Sequence, residues 1–594
     1  MRAKNKVSHR KPRQSGSSDY TTAYGTSHYK IDSPLKTNLA VGKTIISEKF
    51  PSTMDGFWFS VNPNTIIVPF DFVSVENVFN TRTVGIIKEL EAVQKNALGF
   101  DYQNRKGNSK TVFQRAGRRQ VEGVQDITIA KVAIMGNTGA NLNGMKDNTS
   151  ISMPVRIGKS VKFATAEEVI FALGIPEMEV PIPMGVIEMP NGLKVPIALA
   201  MSYLAGPDAA HVNASGISGN LKTSYLLFLL QSMYQRLAKN NEVSIILFNT
   251  REEDLLHLHE RQEVVGDRDE KLFKLLQLKI EPFCNVSYFL PRGKDGKPLS
   301  THIPENARTY SYELEDIHDR LELLFSETYD PRYNLSAVID YIYESWPLKD
   351  SSGKVIENWS DLSAFRDYPQ EIITHKSTLL HFLGQLQRFR KSSMFTDKQL
   401  TSTYLGKEIR KIRAGDILVV DIAMIPTLEE QSFVVADVMK NIDQLYSVKY
   451  NNLDDIGIEN NKNEITKRRP TYTLIFIDEI NRFLPKSNPL GIRSAVAEQI
   501  TKTIIAGKSR NTILFSAQQF KSEVDYTLHE NTGLHIMAKL GFSELSTKPY
   551  SMIDESTKMN IARLNKGEIV MIQPAFRQPI KITFPRASFK RPNR

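Results

Sequence analysis

This chain of 594 residues holds one cysteine, Cys284. That excludes an internal disulfide framework and an all-cysteine zinc site, and a reducing interior is the simplest home. No apolar run approaches the roughly 18 residues needed to cross a bilayer. The basic start of the sequence is followed by no apolar segment, so a secretory signal is not expected. The charge imbalance is mild: 76 Lys and Arg against 66 Asp and Glu, a net +10. It favours a polyanionic partner without demanding one. What is present is ordinary for a soluble protein with a large core, with 41% hydrophobic and 24% charged residues. The length suggests three or four domains, and the expected location is cytoplasmic.

Residues 1–45 read as a disordered basic tail. The first 35 carry seven basic and two acidic side chains with no apolar period. The tail is either merely solvated or an arm that touches nucleic acid. From Phe57 the texture becomes short β-segments bounded by Gly, Pro and Asn: Phe57–Val61, Thr65–Pro69, Asp126–Val132 and Val155–Phe163. They predict a small barrel domain over 46–200. Residues 99–123 interrupt it with Arg105, Lys106, Lys110, Arg115, Arg118 and Arg119, a loop that is either a solvated insertion or a backbone-contacting one.

Beyond Gly206 strands and helices alternate, which predicts an α/β core with a mainly parallel sheet. Its first part spans 201–260 and its second part 414–594. Between them, 261–413 reads as a mainly helical, charged insertion with one strand-like piece, Cys284–Leu290.

Three motifs in the core carry chemistry. The first is Gly216-Ile217-Ser218-Gly219-Asn220-Leu221-Lys222-Thr223-Ser224, between a strand and an apolar helix over 224–239. A phosphate-binding loop needs backbone N–H groups around an anion, a helix N-terminus aimed at it, a lysine, and a hydroxyl for Mg²⁺. Leu221 stands where the usual pattern has glycine; a left-handed backbone there costs leucine about 1 kcal/mol or more. The second motif is an apolar strand, Tyr472–Ile477, ending in Asp478-Glu479. Two carboxylates there are expensive unless they meet a cation. Asp478 suits the Mg²⁺ of a nucleotide, and Glu479 suits activation of the attacking water. The third is Thr512–Ser516, an apolar strand followed by Ala517-Gln518-Gln519. Ligands of parallel sheets lie beyond the C-terminal strand ends, where the Gln518 amide can orient water or sense a γ-phosphate. His257 and His259 read as members of a solvated helix face without a ligand cluster.

These motifs, in this order, resemble the HerA-type ATPases, relatives of FtsK-like DNA pumps with a RecA-like P-loop core. Phe57–Phe72 and Met153–Leu173 look like the β-barrel that precedes the core in that family, and Ile182-Pro183-Met184-Gly185 looks like its junction. Asp478-Glu479-Ile480-Asn481-Arg482-Phe483 is close to the family's Asp-Glu-Ala-His-Arg-Phe. The likeness covers roughly 50–260 and 410–586. It implies a homo-hexameric ring that hydrolyses ATP with Mg²⁺ between subunits, holds double-stranded DNA in its pore, and works with a partner nuclease or another effector in DNA processing or phage defence. Lys508 stands where the family usually carries arginine. Lys508 or Arg510 is the expected cation acting across the subunit boundary, with Arg493 as fallback. Two further readings stand beside this one. The first is a nucleotide-binding ring scaffold with little turnover. The second is a membrane-bound coupling ATPase of conjugation type, against which the missing membrane segment counts.

Overall fold

The computed structural model describes residues 40–78, 81–94, 126–138, 153–206, 210–219, 221–237, 242–325, 334–372, 376–398, 401–446, 469–487 and 493–591. Almost all of the tail, the basic loop 99–123 and Asn220 lie outside them. The chain divides into two compact units, one of residues 1–182 with 187–201, the other of 183–186 with 202–594.

In the first unit six strands close into an antiparallel barrel: β1 (Ala40–Ile45), β2 (Gly56–Val61), β3 (Phe72–Glu76), β4 (Arg82–Gln94), β5 (Asp126–Thr138) and β6 (Ser160–Phe163), in the order β1-β2-β5-β4-β3-β6. Alternation along β2 sends Phe57 and Phe59 inward with Val73, Val75, Ile87 and Val132, and leaves Trp58 half-buried outside against Phe50. A Cβ at Gly42 would collide with Ser60 O across the β1–β2 pair, so the closure needs glycine there. The barrel differs from the sequence reading in detail. β1 lies within the stretch assigned to the tail. Residues 65–69 form no strand, and only Ser160–Phe163 of the 155–163 segment does. β4 was not predicted, because Lys88, Glu89 and Glu91 break its apolar rhythm.

The chain continues through β7 (Pro181–Glu188) and β8 (Lys194–Ala200). The second unit is built on a large sheet of β9 (Val212–Ser215), β10 (Val243–Asn249), β11 (Val286–Pro291), β12 (Ala307–Tyr310), β13 (Ile417–Asp421), β14 (Tyr472–Ile477), β15 (Thr512–Gln518), β16 (Leu534–Met537), β17 (Glu568–Ile572) and β18 (Ile580–Thr583). Their order is β12-β11-β13-β10-β14-β15-β9-β16-β17-β18, parallel from β12 to β16 and antiparallel from β16 to β18. β10 and β15 are buried along their whole length, as expected of strands covered on both faces. The helices α1 (Lys222–Leu237), α2 (Leu428–Leu445) and α3 (Ala495–Gly507) belong to this α/β core.

The 261–413 segment differs from expectation. It is rich in helix, yet it adds two strands to the sheet, and β12 was not predicted. Its Tyr310, Leu321, Val338, Trp359 and Phe382 share one continuous core with Phe248, Phe433 and Ile477. Arg320 is buried and donates to the equally buried Asp437 of α2 at 2.8 Å, which ties the insertion to the core.

Candidate functional site

The strand order decides what meets at the C-terminal edge. β15 lies between β14 and β9, so Asp478 and Glu479, at the end of β14, emerge one strand away from the loop that follows β9. Gly216 N–H donates to Gln519 O (3.3 Å) and Ile217 N–H to Lys539 O (3.0 Å), which moor the loop to neighbouring strand ends. Ser218 and Gly219 are exposed, and Gly219 takes φ +81°. Leu221 takes φ +63°, so the chain holds a glycine-like left-handed backbone with a leucine in it. α1 starts at Lys222, and Tyr225 N–H donates to Leu221 O (2.9 Å).

Around this helix start the predicted residues converge. Thr223 Oγ1 donates to Asp478 Oδ2 at 2.8 Å. Lys222 is buried, and that burial holds its amine below the ordinary lysine value, with Asp478 pulling the other way and Arg251 reinforcing the fall. Glu479 N–H donates to Asp478 Oδ1 (2.9 Å), fixing the carboxylate that faces Thr223. Glu479 itself sits at φ +54°. A left-handed non-glycine residue costs about 1–3 kcal/mol and persists only where its surroundings hold it. Arg251 pairs directly with Glu479 Oε1, and Arg482 Nη1 lies 3.9 Å from Oε2. A hydroxyl bonded to a strand-end carboxylate beside a buried lysine is the donor set that suits a Mg²⁺-bound phosphate chain, and Thr223 and Asp478 fit the ion. The cavity they line measures about 1040 Å³ and includes Ser224, Lys222 and Asp478.

The other predicted residues stand apart from this cluster. Gln518 is fully buried, and its amide exchanges two 2.8 Å hydrogen bonds with Asn213. Lys508 and Arg510 lie between α3 and the start of β15, at the edge of the sheet opposite the phosphate loop. Lys508 is exposed, and Arg510 pairs with Asp443 at 3.2 Å. Arg493 donates twice to Asp525 (3.0 and 2.8 Å) and once to Thr527. The histidines require a correction. His257 and His259 lie in a turn rather than on a helix, and only His259 is exposed. His257 is buried, with Nδ1 2.6 Å from Glu260 Oε1 and Glu253 and His302 close by. The solvated-helix reading failed because the segment turns around the ring, placing its own Glu253 and Glu260 on either side, and His302 from a distant loop packs against it.

Sequence reasoning missed Arg251, Asn213 and the C-terminal Arg591. Arg251 follows the end of β10, so the rule that ligands gather beyond parallel strand ends could have found it. Nothing local marks Arg591.

No protein-family model matches the chain, and no curated protein matches it. Among solved structures it is similar to VirB4 of Thermoanaerobacter pseudethanolicus (15% identity, 68% of this chain and 96% of that one, TM-score 0.37). It is also similar to the bacterial conjugative coupling protein TrwB (12%, 69% and 92%, TM-score 0.38). A third is the genome packaging NTPase B204 of Sulfolobus turreted icosahedral virus 2, solved with ATP-gammaS (11%, 30% and 72%, TM-score 0.21). TrwB structures include complexes with a non-hydrolysable ATP analogue and with ADP and Mg²⁺. Among the described residues no helix is long and apolar enough to cross a membrane.

Proposed function

We propose that this chain is a Mg²⁺-dependent ATPase of the HerA type, a homo-hexameric ring that drives double-stranded DNA and works in the cytoplasm with a partner nuclease or effector. The observation that carries the ATPase reading is the convergence of Lys222, Thr223 and Asp478 on one cavity at the edge of the parallel sheet, with Glu479 next along the chain and held by Arg251 of that cavity. Mg²⁺, when bound, neutralises phosphate charge. Thr223 and Asp478 would hold the ion, Lys222 would meet the outer phosphates, and the loop N–H groups beyond Ile217 would surround the phosphate chain. Glu479 accepts the proton of the attacking water once its carboxylate leaves Arg251. Gln518 acts as the sensor at the tip of β15 after letting go of Asn213. The net +10 charge supports a polyanionic partner.

A scaffold with little turnover is the second reading. It is favoured by the left-handed Leu221 and by the double-arginine clamp on Glu479. ATP turnover measured with and without long duplex DNA separates the two. The motor hydrolyses ATP faster on DNA, and its DNA binding weakens steeply with salt at little sequence preference. Turnover that DNA leaves unchanged at a near-zero level selects the scaffold.

A further inference from the structure

The segment after β18 runs back along α1 toward the phosphate loop and is fastened residue by residue to the middle of that helix and to the 260–283 segment. Gln231 Nε2 donates to Ser588 Oγ (2.7 Å), Ser588 Oγ donates to Glu281 O (2.6 Å), and Ser588 N–H donates to Gln231 Oε1 (3.2 Å). Phe589 is fully buried, with its ring 5.9 Å from that of Phe283. Lys590 bonds Glu260 twice, N–H to O at 2.9 Å and Nζ to Oε2 at 2.6 Å. Three consecutive residues held in this way fix where the next one lies. Arg591 Nη1 donates to Ser224 Oγ at 2.5 Å, in the first turn of α1 and one residue past Thr223. Lys566, Arg586, Lys590 and Arg591 line the same cavity as Lys222 and Asp478.

The guanidinium of Arg591 is incompletely satisfied. Its Nε and Nη2 are closed to solvent and have no hydrogen-bond partner among the described residues. A guanidinium cannot shed its proton under ordinary conditions, and a buried donor without an acceptor costs about 1–3 kcal/mol, more when charged. Burial pushes its pKa down to about 10, with Asp254 opposing and Arg586 adding to the fall. The pocket therefore carries a firmly anchored cation that is short of an anionic acceptor, beside the helix turn that cradles phosphates.

We propose that Arg591 is a nucleotide ligand in cis: on binding, its guanidinium turns from Ser224 to the α- and β-phosphate oxygens, with Arg586 adding positive charge behind it. The position argues for the inner phosphates. Thr223 and Asp478 mark the Mg²⁺ side, and Ser224 lies one residue further along the helix. The proposal rests on the ATP-site reading and supplies the cation that one loop lysine lacks, from the chain's own C-terminal segment.

The test titrates fluorescent ADP and ATP into the full chain and into Arg591→Ala, Arg591→Lys, Arg591→Met and Lys222→Ala. Loss of a charged hydrogen-bonding group predicts a Kd roughly ten- to hundred-fold higher for ADP and ATP alike in Arg591→Ala, and lysine restores only part of it. Arg591→Met, which removes the orphaned donors, melts no lower than the parent, so the binding loss is not a folding loss. Unchanged affinity in Arg591→Ala overturns the proposal. Tighter binding also overturns it, since the segment then shields the site, and so does a loss confined to ATP, which places the contact on the γ-phosphate. If the parent itself binds neither nucleotide, the ATP-site reading fails. If Lys222→Ala loses affinity and Arg591→Ala does not, the proposal alone fails.

Discussion

Leu221 offers a quantitative test of the phosphate loop. Its φ of +63° costs a non-glycine residue about 1–2 kcal/mol. Leu221→Gly removes that strain. It also enlarges the unfolded ensemble by about 0.4–1 kcal/mol and gives up the packing of a half-buried side chain, about 1 kcal/mol more. The terms nearly cancel, so stability should move by less than about 1 kcal/mol. The backbone already has the shape glycine would take, so the Kd for ADP should stay within about threefold of the parent. Leu221→Val acts differently. A β-branched residue is a true outlier at positive φ, so the free loop relaxes out of the left-handed turn, and restoring it on binding costs about 1 kcal/mol, which raises the Kd roughly fivefold. Fluorescent-ADP titrations and thermal melts of the three proteins measure both effects. Tenfold tighter binding by the glycine variant would show that leucine deforms the loop. Equal affinity for Val and Leu would show that binding does not need the left-handed turn. Either result refutes the reasoning.

Glu479→Gln should bind ATP and fail to hydrolyse it, while Lys222→Ala should lose hydrolysis and weaken binding; parent-rate turnover by Glu479→Gln would remove it from the mechanism. His211 is fully buried, donates from Nε2 to Ile504 O (2.8 Å) and accepts from Leu514 N–H at Nδ1 (3.0 Å), and burial pushes its pKa from 6.5 down to about 4. Because the folded value is depressed, its contribution of about 3 kcal/mol is complete above pH 6.5 and is lost as pH falls through 4. Denaturation of the parent and His211→Gln across this window should show the parent's steeper loss, and parallel profiles would contradict it. Mixing inactive Lys222→Ala with inactive Arg510→Ala (and separately with Lys508→Ala) should restore partial ATPase activity through interfaces whose two halves are both intact. Mixed rings that form without any recovery would exclude a cation in trans.

The sequence by itself determined the α/β core and most of the chemical inventory. Apolar runs such as Val243–Phe248, Tyr472–Ile477 and Thr512–Ser516 have the length and flanks of buried parallel strands; Asp478-Glu479 follows the second, and Lys222-Thr223 opens the helix after the glycine-rich turn. A barrel before the core was likewise legible from short β-segments and turns. The charged strand β4 and the short β12 were not legible, since what makes them strands is pairing with β5 and β11 rather than their own pattern. The tertiary structure alone decided who faces whom. It set Arg251 against Glu479, tied Gln518 to Asn213, buried His257 beside Glu260, and carried Arg591 back to Ser224 across 367 positions. Local propensity acts over a few residues, whereas strand order and long-range packing choose partners hundreds of residues apart.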